Sequence, residues 1–81
     1  MEKILRYNVV FRPEPEGGFT VFVPSLPGCI TYGRDLAEAR EMVVDAIKGY
    51  LLSLRKHRES IPNDQDNLFA SIDIKQAIAY A

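Results

Sequence analysis

The residues of this chain that could do chemistry are its carboxylates, one cysteine and one histidine. Hydrolysis by two metal ions needs several carboxylates that converge on ions roughly 4 Å apart. Asp73, on a predicted strand, and Glu38 or Glu41, on a predicted helix, are available. The first predicted strand offers RYNV at positions 6–9, none of them a carboxylate. Carboxylates on only one strand and one helix do not make such a site. We therefore predict no catalytic residue, no metal ligand set, no cofactor and no enzymatic activity.

The cysteine and the histidine have structural interpretations as well. A single cysteine excludes an internal disulfide, and with one histidine it gives no zinc ligand set. We interpret Cys29 as a small buried strand residue, with a reactive thiol as the alternative. His57 lies in a basic run at the end of the predicted helix, where it complements the helix dipole. As a general base it would need an orienting carboxylate, and Glu59 and Asp64 are the local candidates.

Size and charge restrict the class of protein. The chain has 81 residues, which predicts a single domain over 1–81, near the size at which one core is only marginally stable. Self-association into a dimer or tetramer would add burial. A net charge of −1 argues against a surface dedicated to phosphate binding. The N-terminus has no hydrophobic signal core, and no apolar run could span a membrane, so we expect a cytoplasmic protein without a membrane partner.

The first half of the chain has the pattern of a β-meander. Ile4 to Arg12 alternates as a strand, residues 13–18 form a turn cluster, and Phe19 to Val23 alternates again, which predicts a hairpin. Pro24 and Pro27 end the second strand, because each fixes φ and lacks an N–H. Gly28 can take a positive φ in the turn that follows. A short third strand is predicted over Cys29 to Tyr32.

The second half is predicted to hold one long helix and a last strand. Asp35 caps the helix with Glu38 in capping-box position. The helix runs from Leu36 to about His57, and its interior Gly49 suggests close packing or a bend. Residues 61–67 form a polar linker, and Leu68 to Ile74 alternates as a fourth strand. For residues 75–81 the sequence is compatible with a short helix, a strand extension or a frayed end. The helix face predicted to meet the sheet consists of Leu36, Ala39, Val43, Ile47, Tyr50 and Leu54.

The stretch from Val23 to Ala39 also resembles a known family. Its pattern V-P-S-L-P-G-C-x-T-x-G-x-D-x-x-E-A is similar to the signature of HicB-like antitoxins. Arg34 departs from that family's usual sequence before the helix, although Asp35 still serves as cap. The resemblance implies an α+β, two-layer β-β-β-α-β domain of truncated RNase H-like fold, with mixed sheet order 3-2-1-4 and one long helix on one face.

The resemblance further implies a protein-binding function. HicB-like antitoxins neutralise HicA-like toxins, which are small basic mRNA-cleaving ribonucleases, by covering their active sites. The alternative is an orphan oligomeric domain that serves as a scaffold or small-ligand binder. The DNA-binding module common in full-length HicB antitoxins needs more than the seven residues that follow the fourth strand. We therefore expect no direct DNA binding.

Two sets of residues are predicted to make these contacts. Acidic groups would attract a basic toxin, and the corner between the two prolines would present Leu26 at an exposed tip. Leu52 projects among charged helix positions, where a monomer gains little from it. The predicted partner-binding residues are Glu14, Glu16, Leu26, Glu38, Glu41 and Asp45. The predicted oligomer interface is Val44, Leu51 and Leu52.

Overall fold

The computed structural model of this chain describes residues 4–76. Its elements are strands β1 (Val10–Pro13), β2 (Phe19–Phe22) and β3 (Ile30–Gly33), followed by the helix α1 (Leu36–Lys56). The strands form one antiparallel sheet in the order β1-β2-β3, and α1 lies against β3 and β2. This confirms the α+β class, the three-stranded meander and the single long helix.

The predicted hairpin is present, although its first strand is shorter than expected. β1 and β2 pair from Val10 opposite Phe22 to Pro13 opposite Phe19. Gly17, with a φ of 107°, closes the turn between them by donating to the Glu14 carbonyl at 2.9 Å. Residues 4–9 lie outside the strand, and the Arg6 and Asn8 N–H groups there donate to the side chains of Asn63 and Asp64.

The corner between β2 and β3 is a closed turn. The Val23 N–H donates to the Cys29 carbonyl, and the Leu26 and Cys29 N–H groups donate to the carbonyls of Val23 and Leu26. Gly28 takes a φ of 84°, as its position in the turn predicts. Leu26 is completely buried, so the predicted exposed tip is wrong. The turn folds this side chain inward, where it fills the core and is inaccessible to a partner.

Both ends of α1 are capped. Asp35 accepts from the Glu38 N–H at 2.8 Å, which confirms the predicted start of the helix. At the other end the Glu59 N–H donates to the Leu54 carbonyl, and Arg58 adopts a φ of 56°. This is a Schellman motif with arginine in the left-handed position that glycine usually occupies.

The core lies between the sheet and the first half of the helix. Gly33 permits this close approach, because a Cβ there would stand 2.7 Å from the Ala39 Cβ and overlap the backbone of that residue. The predicted close packing at Gly49 is wrong, since nothing lies within 4 Å of where its Cβ would be. Leu36, expected on the inner face, is 49% exposed at the first turn. The buried apolar side chains are Val21, Val23, Leu26, Cys29, Ala39 and Val43.

The fourth strand predicted over Leu68 to Ile74 does not form in the described chain. Residues 68–75 belong to no strand, and Leu68 is 98% exposed. An alternating strand needs a neighbouring strand, and the described chain pairs none with this segment. The sheet order 3-2-1-4 and the truncated RNase H-like outline are therefore not supported. Residues 77–81, part of the C-terminal segment left open above, lie outside the described residues.

Candidate functional site

An apolar groove lies beside β1, where the helix leaves the sheet uncovered. Tyr7, Val9 and Phe11 line one side, on β1 and the residues before it. The groove encloses about 570 Å³ and has Arg40 and Lys48 at its polar margin. It exists because α1 packs over β3 and β2 and leaves β1 uncovered. The helix side of this groove consists of Val43, Val44, Ile47 and Leu51.

The predicted oligomer interface divides between this groove and the outer helix surface. Val44, which is 48% exposed, and Leu51, which is half-buried, both line the groove. Leu52 is 67% exposed and borders a shallower depression with Lys48, Leu51 and Arg55. The structure thus brings Val44 and Leu51 together in the groove, while Leu52 meets Leu51 only in the separate depression.

Two of the predicted acidic residues form an exposed pair on α1. Glu41 and Asp45 lie one helical turn apart and are both exposed. Among residues 4–76, the ion pairs are Arg12–Glu14 and Arg34–Glu38, so neither carboxylate of the pair is neutralised. Like charges at this spacing destabilise a helix by a few tenths of a kcal/mol. The pair is therefore available to a basic partner, which would relieve the repulsion.

The other acidic residues are located at the hairpin end of the sheet. Glu38 accepts from the side chain and the backbone N–H of Arg34, and these hydrogen bonds, the side-chain one most of all, hold its pKa below the usual value. Glu14 has a lowered pKa because it accepts hydrogen bonds from Thr20 and Arg12. Glu16 is exposed at the hairpin turn. Glu14 and Glu38 thus stabilise local structure, and their oxygens are already engaged.

The most extensively bonded side chain is Asp64, which sequence reasoning placed in a polar linker. It is 1% exposed. Its carboxylate accepts from the Ser25 hydroxyl, from the Asn8 backbone N–H at 2.9 Å and from the Asn67 side-chain amide at 3.0 Å. Its own N–H donates to the Arg6 carbonyl at 2.8 Å. Asp64 therefore ties the start of the chain, the corner after β2 and the loop after the helix together.

These hydrogen bonds also set the charge state of Asp64. They lower the pKa of the carboxyl group from its ordinary value of 3.8, with the Ser25 hydroxyl as the largest cause and the Asn8 N–H as the second. Burial opposes this shift but is outweighed. Asn and Asp side chains often bond to nearby backbone, and the run at 63–67 carries this signal for a turn, although it was interpreted only as a polar linker. Nothing in the sequence, however, paired Asp64 with residues 6–8 or Ser25, which are distant along the chain.

Comparison with known proteins identifies the family. The profile described as "HicB_like antitoxin of bacterial toxin-antitoxin system" matches residues 7–80. The chain belongs to this HicB-like antitoxin family. A UPF0150 protein of Thermoplasma acidophilum is 42% identical over 60 residues, which are 74% of this chain and 87% of that protein. A UPF0150 protein of Helicobacter pylori is 32% identical over 67 residues, covering 83% of this chain and 92% of the other.

Antitoxin HicB of Escherichia coli K12 is similar over a shorter region. It is 42% identical over 43 residues, which are 53% of this chain but only 31% of that protein. The HicB-like chain described here therefore corresponds to a part of that antitoxin. Family membership supports a regulatory, antitoxin role for this chain.

The HicB-like domain does not assemble the candidate chemical groups into a site. Burial raises the pKa of the Cys29 thiol, which disfavours the reactive thiolate. The His57 ring nitrogen Nδ1 is 2.8 Å from the Ser53 carbonyl oxygen and so donates to the last turn of its own helix. Between residues 4 and 76, no group of three His, Cys, Asp or Glu side chains could hold a metal ion. Within the same range, α1 is too polar to be a membrane-crossing helix.

Proposed function

We propose that this chain is an antitoxin that binds a HicA-like mRNA-cleaving toxin and neutralises it by covering its active site. The observation that carries the proposal is the family match over residues 7–80, which spans the sheet, the helix and the Asp64 loop. Both proteins would act in the cytoplasm, where the mRNA is found.

The acidic surface of the domain supports a basic partner. Glu41 and Asp45 form the exposed, unneutralised pair on α1, and Glu16 adds an exposed charge at the hairpin turn. Complementary charge mainly increases the association rate and the specificity of a complex. Glu14 and Glu38 contribute negative potential, but their local hydrogen bonds make them weaker candidates for direct contact.

The proposal is tested with the product of any short basic reading frame found directly beside the gene for this chain, taken as the candidate toxin. Purified antitoxin should bind it and abolish its cleavage of RNA. The double variant Glu41→Lys/Asp45→Lys should slow association at least roughly tenfold at low salt, with a smaller effect at high salt. The matched control is Glu59→Lys, an exposed acidic residue beyond the helix. Failure of the wild-type chain to bind or inhibit any such protein would overturn the proposal.

A second function is favoured by the groove beside β1. Its volume of about 570 Å³ and its apolar lining are typical of a site for a small apolar ligand. An orphan domain that binds such a ligand, or that serves as an oligomeric scaffold, would need no toxin. The two functions are distinguished by what co-purifies with the chain from its native cells. An antitoxin should bring down a small basic protein, whereas an orphan domain should bring down only further copies of itself.

A further inference from the structure

The segment from Leu68 to Ile74, called here the tail segment, is apolar at alternate positions and has no partner in the described chain. Ile72 is 77% exposed and Ile74 is 69% exposed. The Cα radius of gyration is 15.8 Å, whereas a compact chain of this length has about 12 Å. Soluble monomers rarely leave contiguous apolar surface of this kind in water. The tail segment is therefore expected to be covered.

The sheet offers a matching free edge. Among the described residues, β1 pairs with β2 on one side and with no strand on the other. An open edge presents unpaired N–H and C=O groups that can accept another strand. The groove lies directly beside this edge, and Val9 and Phe11 of the β1 side line it. An added strand would thus find both backbone partners and an apolar surface for alternate side chains.

The tail segment of the same molecule is directed elsewhere. Asn67 donates its backbone N–H to the Asp64 carbonyl at 2.9 Å and its side-chain amide to the Asp64 carboxylate at 3.0 Å. Asp64 is in turn held by Asn8 and Ser25. The turn at 64–67 therefore fixes the direction in which the chain continues. No residue of the tail segment lines its own groove.

We propose that two copies of this chain exchange their tail segments, each tail adding a strand to the free edge of β1 in the other copy. Every copy has one exposed tail and one open groove. In a two-fold symmetric dimer each tail occupies the groove of the other copy, so that no tail stays exposed and no groove stays empty. The side chains at 68, 70, 72 and 74 enter the groove of the partner copy. The residues that alternate with them, Phe69, Ser71 and Asp73, face the opposite side of the sheet.

This exchange does not depend on the proposed antitoxin function, because no toxin takes part in it. It places Val44 and Leu51 in the contact between copies and leaves Leu52 outside it. It also completes the sheet with a fourth strand that belongs to the other chain.

The first test is the association state of the full chain by sedimentation velocity. The wild-type protein should be a dimer at micromolar concentration. Ile72→Asp should raise the dimer dissociation constant at least roughly a hundredfold, because each dimer loses two buried isoleucine side chains. Ser71→Asp, one position away on the other face, should leave the dimer intact. A monomeric wild-type protein, or an Ile72→Asp variant that stays dimeric, would overturn the proposal.

A second test separates exchange from any other dimer. Val44→Asp damages the groove and keeps the tail, whereas Ile72→Asp damages the tail and keeps the groove. Each residue is exposed in the single chain, so each variant should keep its circular dichroism spectrum. Alone, both variants should be monomers. Mixed, they should form a dimer with one restored strand, seen as a mixed species by native mass spectrometry. Two monomers that do not combine would contradict tail exchange.

Discussion

At the scale of single residues, the fold depends most on Asp64. A buried carboxylate is tolerated only where hydrogen bonds replace water. Ser25, Asn8 and Asn67 supply these bonds, and they come from three separate parts of the chain. Removing one central acceptor leaves several buried donors without a partner, and an unsatisfied donor costs more than the lost bond itself.

Replacement of this carboxylate is therefore expected to destabilise the protein. Asp64→Ala should lower the free energy of unfolding strongly, because the Asn8 N–H and the Ser25 hydroxyl lose their acceptor. The control Asp66→Ala, an exposed acidic residue two positions away, should have little effect. Urea unfolding at fixed protein concentration measures both. Equal stabilities of the two variants would show that the network is dispensable.

The same residue predicts how stability depends on pH. Because the pKa of Asp64 is lower in the folded protein than its ordinary value of 3.8, the unfolded chain binds more protons in acid. The contribution of Asp64 is fully present above pH 3.8 and is lost as the pH falls through the folded pKa. Thermal melts should show wild type and Asp64→Asn converging as the pH is lowered below this value. A constant difference down to strong acid would contradict the assignment.

At the scale of elements, α1 and the cap that follows it each carry one residue that does not suit its backbone conformation well. Gly49 lies in the exposed interior, and nothing approaches the position of its Cβ. Arg58 occupies the left-handed position of the Schellman motif with a φ of 56°. In neither place does the described chain show a contact that requires the residue present. Substitutions there test whether the backbone alone determines stability.

Gly49→Ala should stabilise the protein by about 1 kcal/mol, because alanine restricts the unfolded chain and favours helix. Gly28 provides a matched control for the same substitution. It also has open space around its Cβ position, but its φ is 84°. Gly28→Ala should therefore destabilise by about 1 kcal/mol. Thermal or urea unfolding should give shifts of opposite sign, and shifts of the same sign would disprove the argument.

Arg58→Gly should also stabilise the chain, by about 0.5 to 1 kcal/mol, because glycine adopts the left-handed conformation without steric cost. Lys56→Gly, two residues earlier and at the last position of α1, should instead lower stability, by less than the roughly 1 kcal/mol of a helix interior. Unfolding in urea measures both variants. A destabilising Arg58→Gly would mean that the arginine side chain contributes more than its backbone strain costs.

At the scale of the whole molecule, the surfaces with potential function are the acidic pair on α1, the groove and the tail segment. The groove is formed by packing, whereas the acidic pair follows from helical spacing and the tail segment is an exposed stretch of chain. Asp73 stands in the exposed tail segment, whereas Glu38 and Glu41 lie on α1. The carboxylates of the described chain thus do not converge on a common point.

We accordingly predict that the purified protein cleaves neither RNA nor DNA when magnesium or manganese is supplied. Two-metal hydrolysis needs converging carboxylates, and the residues before β1 contribute none. The assay compares the wild-type chain with Asp73→Asn on labelled RNA and DNA. Cleavage that the wild type performs and Asp73→Asn abolishes would establish a nuclease and reverse this prediction.

The sequence alone determined the features that depend on neighbouring residues. Asp35 with Glu38 predicted where α1 begins, Gly28 predicted a turn with positive φ, and the alternation at 19–23 predicted β2. These signals are local, because a cap, a turn or a strand face is specified within a few positions. The V-P-S-L-P-G-C pattern likewise carried the family resemblance within a short stretch.

Only the tertiary structure decided which side chains are buried and what they contact. Leu26 lies in a corner that looked exposed, and Asp64 lies in a loop that looked solvated, yet both are almost completely buried. Conversely, the alternation at 68–74 predicted a strand that the described chain leaves unpaired. Burial and pairing depend on residues that are distant along the chain. A local pattern shows that a segment can form a strand, but a partner must be present for the strand to form.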